Sequence, residues 1–425
     1  TPFAAWDARE LGVSSSLTRS AIAKATGIDE ATIEDWWRET GDLGSAAAEA
    51  VEAERQQTLF TQSLTVERVH ETLLDIAAYE GSGSQQRKID AIAGLLSDAD
   101  PEAAKYVVRT VLGHLRIGVG EGTIRDAIAS AFLDGSGEAV DAVERAYQVT
   151  NDFRVVAEKA KTEGRAGLGA LDVELFRPIA VMLAEKAESI EAGIDAVAED
   201  PADILAEYKY DGIRAQIHVD GEDITVFTRR LEDVTAQFPD VVEAVEEGIA
   251  IENGILEGEI VGYDPDTKEM VPFQTLSKRV KRKYDIEETI EEIPVVTYLF
   301  DAMYVEGESL LEEPLDQRID RLEAGLTETA WELERAANRR TGDPEEIRAF
   351  YESALEAGQE GIMLKNRQAA YQPGRRVGYM MKLKPTLETL DLVVVRAKYS
   401  EGRRRNKLGR LYLACRDEAS GELLE

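Results

Sequence analysis

Hydrophobic residues recur at helical spacing through the first 170 residues of the chain. Three segments carry apolar side chains mostly three or four positions apart: Val66, Val69, Leu73, Leu74 and Ala77; Ile89, Ile92, Leu95 and Leu96; and Val107, Val108, Val111, Leu112 and Leu115. Asp100 followed by Pro101 is a typical helix start, because proline fits the first turn of a helix. The pattern predicts an all-α domain over residues 1–170.

After about residue 177 the pattern changes to the alternation that is typical of strands. The predicted strands are 214–219, 223–227, 254–263, 295–305, 361–366 and 379–384, and a helix is predicted at 347–357. Asp220-Gly221, between the first two strands, is a strong hairpin signal. We therefore predict an α+β domain over residues 171–386. Alternation resumes at 390–398 and 409–416, which predicts a β-hairpin within residues 387–425.

Lys209 is the first residue with a clear chemical use, because it follows strand-like residues in the run EYKYDGIR at positions 207–214. An amine that is held neutral can attack phosphorus as a covalent nucleophile. Gly212 would allow a tight turn that brings Arg214 back toward a nucleotide. The alternative is a surface lysine that precedes an ordinary Asp-Gly turn. This one motif does not decide between the two interpretations.

Four further segments of suitable chemistry follow along the chain. They are FTRR at 227–230, LEGEIV at 256–261, YLFD at 298–301, and EGIMLK at 360–365 with KLK at 382–384. Each has an ordinary explanation when it is taken alone. Phe300 can be a core residue, Glu360 can be a turn residue, and Lys382 and Lys384 can form one solvated face of a strand. Their occurrence together in this order favours a shared catalytic role.

This ordered series resembles the motifs of the covalent nucleotidyltransferases, which comprise DNA ligases, RNA ligases and mRNA capping enzymes. Within that superfamily it is most similar to the ATP-dependent DNA ligases of archaea and of the eukaryotic replicative type, over nearly the whole chain. The resemblance implies that residues 1–170 are a helical DNA-binding domain. It further implies that residues 171–386 are a nucleotidyltransferase (adenylation) domain and that residues 387–425 begin a β-barrel OB-fold.

The resemblance also implies that the protein seals nicks in duplex DNA with ATP and Mg²⁺ as cofactors. Lys209 would attack ATP to form lysyl-AMP, and AMP would then pass to the 5′-phosphate of the nick. The 3′-hydroxyl would finally displace AMP. Each step is an attack on phosphorus, so catalysis depends mainly on positioning and on charge neutralisation.

Matching the family motifs residue by residue implies further roles. Glu207 would hold adenine, Asp211 would orient the loop, Arg214 would bind ribose, Arg229 would bridge the nucleotide and the nick phosphate, Phe300 would stack on adenine, Arg376 would bind the nucleotide, and Lys382 and Lys384 would contact the α-phosphate and favour the neutral amine of Lys209. Glu259 and Glu360 would bind ribose or Mg²⁺, since a hard cation prefers oxygen ligands.

Two other interpretations of the motifs stay open at this point. An RNA ligase or a GTP-using capping-type enzyme would share them, but simple members lack the helical region that precedes Lys209 here. A catalytically dead DNA-binding scaffold is the other, and the presence of Lys209, Glu259 and Glu360 argues against it. NAD-dependent ligases share the lysine motif but carry a four-cysteine zinc module, which a chain with the single cysteine Cys415 cannot form.

The composition of the chain is strongly acidic, since 83 Asp and Glu residues against 49 Lys and Arg residues give a net charge of −34. Such a charge repels itself in dilute buffer, whereas the Debye length falls to roughly 3 Å at about 1 M salt. The charge therefore indicates a protein from a halophile, here a halophilic archaeon. Because DNA-binding proteins normally present a basic surface, DNA contact must come from local clusters.

Two basic clusters and one glycine-rich loop are candidates for DNA contact. The clusters are SKRVKRK at 277–283 and RRR at 403–405, and for each the alternative is a basic loop that balances nearby acids. The loop LRIGVGEG at 115–122 follows a helix rather than a strand, which argues against dinucleotide binding. It resembles the loop with which the family's helical domain meets the DNA backbone, and an ordinary turn between helices is the alternative.

The chain contains no apolar run of the roughly 18 residues that a membrane span needs, and it shows no signal peptide, so we expect a cytoplasmic protein. We also expect a monomer. A first residue other than methionine and an end within a hairpin predict truncation at both ends, in which case a sliding clamp would bind through missing terminal segments. The family's final basic motif, which orients pyrophosphate, would be missing too, so the 425 residues alone should adenylylate themselves poorly.

Overall fold

A computed structural model of the chain describes residues 3, 6–7, 9–55, 64–280, 282, 286–374, 376–385, 392–399, 407–416 and 423–424. The chain forms two compact units. One consists mainly of Arg9–Val119 and includes the described part of Leu387–Glu425, and the other consists mainly of Gly120–Thr386. Within the described ranges, no helix is long and apolar enough to cross a membrane.

The helical part of the first unit contains six helices in its described residues. They are α1 (Ser15–Thr26), α2 (Glu30–Thr40), α3 (Leu43–Arg55), α4 (Val66–Ala78), α5 (Ser84–Asp98) and α6 (Pro101–Val111). Four of these helices start at a residue whose side chain accepts a hydrogen bond from a backbone N–H of the first turn, namely Ser14, Asp29, Thr65 and Asp100. The predicted helix start at Asp100-Pro101 is therefore confirmed.

The predicted burial of apolar residues is confirmed in the middle of these helices, and it is wrong at one end of α4 and of α6. Leu73, Ile92 and Val107 are buried in one shared core, as the helical spacing predicts. Val66, however, is the first residue of α4 and is 82% exposed. Leu115 lies beyond the last residue of α6 and is 44% exposed. Periodicity identified the buried stripe but not the point at which each helix ends.

The glycine-rich loop at 115–122 follows a helix, as predicted, and connects α6 to α7 (Glu121–Phe132). Two arginine side chains fix its first half through backbone oxygens. Arg109 donates to the carbonyl oxygen of Leu115 at 3.1 Å, and Arg116 donates to that of Gly41 at 2.7 Å. Ile117 is half-exposed in the part of the loop that follows. The loop is therefore anchored on one side and presents apolar side chains to solvent on the other.

Three helices begin the second unit: α7, α8 (Gly137–Thr150) and α9 (Phe153–Gly169). They belong to the same compact unit as the two sheets described below. The boundary predicted at residue 170 depends on helix content alone, and it stays a prediction.

The first sheet of this unit carries the predicted nucleophile. Its strands are β1 (Leu183–Lys186), β2 (Ile204–Lys209), β9 (Asn338–Arg340), β10 (Gly361–Asn366) and β11 (Arg376–Leu383), in the spatial order β1-β11-β10-β2-β9. β10 runs antiparallel to both β2 and β11. Helices α10 (Ile190–Val197) and α15 (Pro344–Glu356) contribute to the core on one side, which includes Ile194, Ile347, Ile362 and Leu364.

The second sheet of this unit carries the predicted acids and the predicted aromatic residue. Its strands are β3 (Ile213–Asp220), β4 (Asp223–Thr228), β5 (Asn253–Gly262), β6 (Val295–Val305), β7 (Glu308–Ser309) and β8 (Leu333–Arg335), in the order β4-β3-β5-β6-β7 with β8 beside β6. The remaining helices are α11 (Pro239–Gly248), α12 (Phe273–Val280), α13 (Ile286–Glu292) and α14 (Leu315–Gly325). Every predicted strand overlaps an observed one, which confirms the α+β prediction.

The segment after the second unit forms an antiparallel sheet, as the alternation predicts. Its strands are β12 (Leu392–Tyr399), β13 (Leu408–Arg416) and β14 (Leu423–Leu424). The side chains of β12 are exposed along its whole length. The predicted basic cluster at 403–405 lies outside the described residues, as do Lys281 and Lys283 of the other cluster.

Candidate active site

Lys209 is the last residue of β2 and lies next to the start of β10. Its Cα pairs with that of Gly361, and its carbonyl oxygen accepts a hydrogen bond from the N–H of Glu360 at 2.9 Å. Gly361 has a φ of 140°, and a Cβ there would overlap the carbonyl oxygen of Leu383. Glycine alone therefore fits between β2 and β11 at this position, and it brings Glu360 beside Lys209.

The carboxylate of Glu360 lies between two lysines. One oxygen pairs with Nζ of Lys209, and the other pairs with Nζ of Lys384 at 2.6 Å. Burial opposes the charge on Glu360, but the two ammonium groups outweigh it and hold the pKa of the carboxyl below its ordinary value. The side chain of Lys209 is 22% exposed, so a substrate can reach the amine.

Further cations lie around this pair. Burial lowers the pKa of Lys382, and repulsion from Arg376, Lys384, Lys209 and Arg229 lowers it further. Arg376 is also anchored, because it donates to the carbonyl oxygen of Ala184 at 2.7 Å. The structure thus brings four of the predicted cations within electrostatic range of a fifth, Lys382. A cluster of this kind is suited to an anionic ligand with several charges.

Glu259 faces the same amine from the second sheet. The turn after Lys209 depends on Gly212, where a Cβ would overlap the carbonyl oxygen of Ile260. Burial raises the pKa of Glu259 to about 7, and the positive charges of Lys209 and Arg214 only partly oppose that rise. The pKa of this carboxyl therefore lies close to neutral pH.

Arg214 is held rigidly at the edge of the pocket. Its Nε and one terminal nitrogen donate to the two oxygens of Glu257, each at 2.8 Å, and its other terminal nitrogen donates to the carbonyl oxygen of Met182 at 2.8 Å. Burial opposes its charge, but Glu257 raises the pKa of Arg214. The guanidinium lies 5.5 Å from the ring centroid of Phe300. Phe300 thus lies beside Arg214 and also packs, partly buried, against the core cluster that contains Tyr210 and Tyr298.

Glu207 is 2% exposed and is neutralised by two cations. Its carboxylate pairs with Nζ of Lys365 and lies 3.4 Å from a terminal nitrogen of Arg335. Lys365 also lies 4.5 Å from the centroid of Phe300. A buried carboxylate needs such partners, because an unpaired charge in this position would be strongly unfavourable. The residue assigned to adenine is therefore fixed in place by its own ion pairs.

Three residues of the site received no role from the sequence: Glu257, Arg335 and Lys365. Two of them lie in segments that the sequence had already singled out, LEGEIV at 256–261 and EGIMLK at 360–365. Glu257 and Glu259 are two positions apart on β5, and Lys365 alternates with the core residue Leu364 on β10. Arg335 belongs to no motif in the sequence, and only the fold brings it to Glu207.

The basic cluster at 277–283 is partly wrong as a DNA contact. Arg279 is 1% exposed, and its guanidinium donates to both oxygens of Asp240 at 2.9 and 2.6 Å. It also stacks over Phe238 at 4.5 Å. Arg279 therefore balances a nearby acid, which was the alternative for this cluster.

Asp211 orients the turn that follows Lys209, because it accepts a hydrogen bond from the N–H of Phe273 at 3.2 Å.

The acids predicted to hold Mg²⁺ can supply only part of its coordination. Among the described residues, no group of three or more histidine, cysteine, aspartate or glutamate side chains could hold a metal ion. Glu259 interacts electrostatically with Lys209, and Glu360 forms an ion pair with it. The two carboxyl groups therefore face the same space from the two sheets. Mg²⁺ is commonly bound by one or two carboxylates together with water and substrate phosphates, and the two residues fit that mode.

Replacing Glu259 with glutamine should stabilise the fold more at pH 8 than at pH 5. The folded-state pKa of about 7 lies above the ordinary 4.5, so stability falls as pH rises between these values. The gain should be about 1–2 kcal/mol larger at pH 8, after allowance for the partial exposure of the group. Denaturant unfolding in EDTA without ATP measures it, with the exposed Glu222→Gln as control. An equal gain at both pH values would contradict the raised pKa.

Comparison with known proteins identifies the family. A family model described as ATP dependent DNA ligase domain matches residues 181–384, and one described as DNA ligase N terminus matches residues 2–129. The DNA ligase of Thermococcus onnurineus is 44% identical over 422 residues, which are 99% of this chain and 74% of that protein. The DNA ligase of Nanoarchaeum equitans is 46% identical over 425 residues, which are 100% of this chain and 74% of that protein.

Among solved structures, one described as Pmar-Lig_Pre has a TM-score of 0.51 at 15% identity and covers 96% of this chain and 86% of its own, which bears on the fold alone. The two family matches favour the DNA-ligase interpretation over the RNA-ligase and capping alternatives. The motifs at 207–214 and 360–365 lie within the first of them. From its sequence matches, the chain belongs to the family of ATP-dependent DNA ligases.

Proposed function

We propose that this ATP-dependent DNA ligase seals nicked duplex DNA with Lys209 as its nucleophile. Nζ of Lys209 attacks the α-phosphorus of ATP, a P–N bond forms, and the bond to pyrophosphate breaks. A 5′-phosphate oxygen at the nick then takes AMP from the lysine, and the 3′-hydroxyl oxygen finally attacks that 5′-phosphorus and releases AMP. The observation that carries the proposal is the position of Lys209 beside Glu360 and among the cations of β11.

The cations of the site stabilise charge on phosphate. Lys382 and Lys384 face the α-phosphate, Arg229 bridges the nucleotide and the nick phosphate, and Arg376 binds the nucleotide. The positions of Arg376, Lys384, Lys209 and Arg229 support this assignment, because their repulsion adds to burial in lowering the pKa of Lys382, and an anionic ligand would neutralise that positive charge. Cations placed in advance around the phosphates are a main source of catalysis in phosphoryl transfer.

The remaining residues of the site hold the nucleoside. Glu207, fixed by its ion pair with Lys365, contacts the adenine edge. Phe300 stacks on the ring, and Arg214 hydrogen-bonds the ribose. Three of the five N–H donors of Arg214 are used by Glu257 and Met182, which leaves two for a ligand.

Glu259 and Glu360 would hold Mg²⁺, which supplies charge neutralisation at the phosphates when it is bound. A cation bound here would also replace one of the two lysines, Lys209 or Lys384, as a partner of the Glu360 carboxylate. Because Glu360 pairs with Lys209, its carboxylate keeps the amine at the pocket until the substrate arrives.

The three predicted domains divide the work in this proposal. Residues 1–170 bind the duplex, with the loop at 115–122 against the DNA backbone, and residues 171–386 form the adenylation domain. β12 and β13 begin an OB-fold within residues 387–425 that completes the grip on DNA. We further propose a monomer that works in the cytoplasm, where its DNA substrate lies, and that binds a sliding clamp through terminal segments.

Replacing Lys209 with alanine should abolish transfer of labelled AMP from ATP to the protein. Replacing it with arginine should do the same although the charge is kept, because arginine stays protonated and cannot attack. The measurement is a denaturing gel of the full-length protein after incubation with labelled ATP or GTP. Lys161→Ala, on the exposed side of α9, is the control and should keep the label. Normal labelling of either Lys209 variant would rule out this nucleophile.

The acidic composition supports adaptation to high salt. With a net charge of −34, the melting temperature should rise between about 0.1 and 2 M KCl as screening removes self-repulsion. Thermal unfolding in KCl measures this rise, with sucrose at matched osmolality as control. A melting temperature that stays flat or falls with KCl would contradict the adaptation.

A further inference from the structure

Arg214 depends on two anchors that belong to different sheets. Glu257, on β5 of the second sheet, accepts from Nε and from one terminal nitrogen of the guanidinium. The carbonyl oxygen of Met182, just before β1 of the first sheet, accepts from the other terminal nitrogen. The direction of the two remaining N–H groups therefore depends on the relative position of these anchors.

One hydroxyl group connects the two anchors. Tyr371, in the connection between β10 and β11, is 3% exposed. Its oxygen accepts a hydrogen bond from the N–H of Met182 at 3.1 Å and lies 3.1 and 3.3 Å from the two oxygens of Glu257, to which it donates. The same two residues that hold Arg214 are thus joined to each other through Tyr371.

The ring of Tyr371 packs against the guanidinium of Arg318. The guanidinium of Arg318 lies 5.7 Å from its centroid and donates to both oxygens of Asp301 at 2.8 and 3.0 Å. Asp301 directly follows Phe300 on β6. Tyr371 therefore lies between the residue assigned to ribose and the strand that carries the residue assigned to adenine, and its own contacts leave it little freedom.

Glu257 and Tyr371 depend on each other for their hydrogen bonds. Glu257 is 0% exposed and receives two bonds from Arg214 and one from Tyr371. Burial, together with the negative charge of Glu257, raises the pKa of Tyr371 well above its ordinary value, so the phenol keeps its proton. Removing the hydroxyl would leave the N–H of Met182 without this acceptor and Glu257 with one donor fewer.

We infer that Tyr371 is a positioning residue that sets the discrimination of the enzyme for the sugar of its nucleotide, by fixing Arg214 through Glu257 and Met182. In this role it contacts neither the substrate nor the reacting atoms. The inference rests on the proposed contact between Arg214 and ribose. Without the hydroxyl, the guanidinium keeps its charge but loses the fixed orientation of its free N–H groups.

The test is single-turnover self-adenylylation of the full-length protein with ATP, 2′-deoxy-ATP and 3′-deoxy-ATP. Tyr371→Phe should raise the ATP concentration for half-maximal rate about 3- to 10-fold and change the maximal rate less than about twofold, because the reacting groups keep their places. Its preference for ATP over at least one deoxy analogue should fall at least about threefold. The matched control is Tyr379→Phe, which removes a hydroxyl 3.3 Å from the carbonyl oxygen of Ala370.

Arg214→Lys separates failure of this inference from failure of its premise. If this variant keeps the preference for ATP over both deoxy analogues, Arg214 does not read the sugar, and the inference falls with that assignment. If Arg214→Lys loses the preference but Tyr371→Phe keeps it, the inference is wrong while the proposed function stands. An equal loss in Tyr379→Phe would also overturn it. Should Tyr371→Phe not fold, Glu257→Asp, which is too short to reach both partners, must show the same loss.

Discussion

The shared carboxylate of Glu360 is the interaction on which the site depends. Lys209 and Lys384 both pair with it, while Lys382, Arg229 and Arg376 lie within electrostatic range of the same place. Like charges this close repel strongly, and partial burial makes the repulsion worse. Before a phosphate ligand arrives, the carboxylate of Glu360 forms an ion pair with both lysines. The cations that would bind a negatively charged substrate are therefore in place before it binds.

Two glycines make this assembly possible. Gly361 lets β10 pass between Lys209 and the carbonyl group of Leu383, and Gly212 lets the chain turn from β2 into β3 against Ile260. Each position excludes a Cβ: Gly361 allows β10 to approach β11 closely within the first sheet, and Gly212 allows the turn after Lys209 to lie against Ile260 of the second sheet. The first sheet brings the nucleophile and the lysines, and the second brings Glu259, Arg214 and Phe300. Chemistry on phosphorus needs both sets, because one supplies charge and the other holds the nucleoside.

Strand alternation predicted β3 to β6 and β10 to β13 but not β1, β7, β8 or β9. The roles of the site residues came from the family resemblance and stay predictions. Local pattern failed where long-range packing decides. Strand alternation predicted β10 and β11, but the pairing of Lys209 with Glu360, 151 residues away in the chain, could only be implied by a family resemblance. In the sequence Arg279 is indistinguishable from its neighbours in a basic run. In the structure it is buried and forms an ion pair with Asp240. Arg335 lies in no motif. In each case a partner distant in sequence sets the environment, and local pattern carries no information about it.

The most direct measurement of the central claim is to locate the covalent nucleotide. The full-length protein is incubated with ATP and Mg²⁺ but no DNA, digested, and mapped by tandem mass spectrometry under conditions that preserve P–N bonds. The account predicts AMP on Lys209 and unmodified Lys382 and Lys384. AMP on either of those two lysines, or a protein that ligates nicks with no adenylylated lysine, would contradict it.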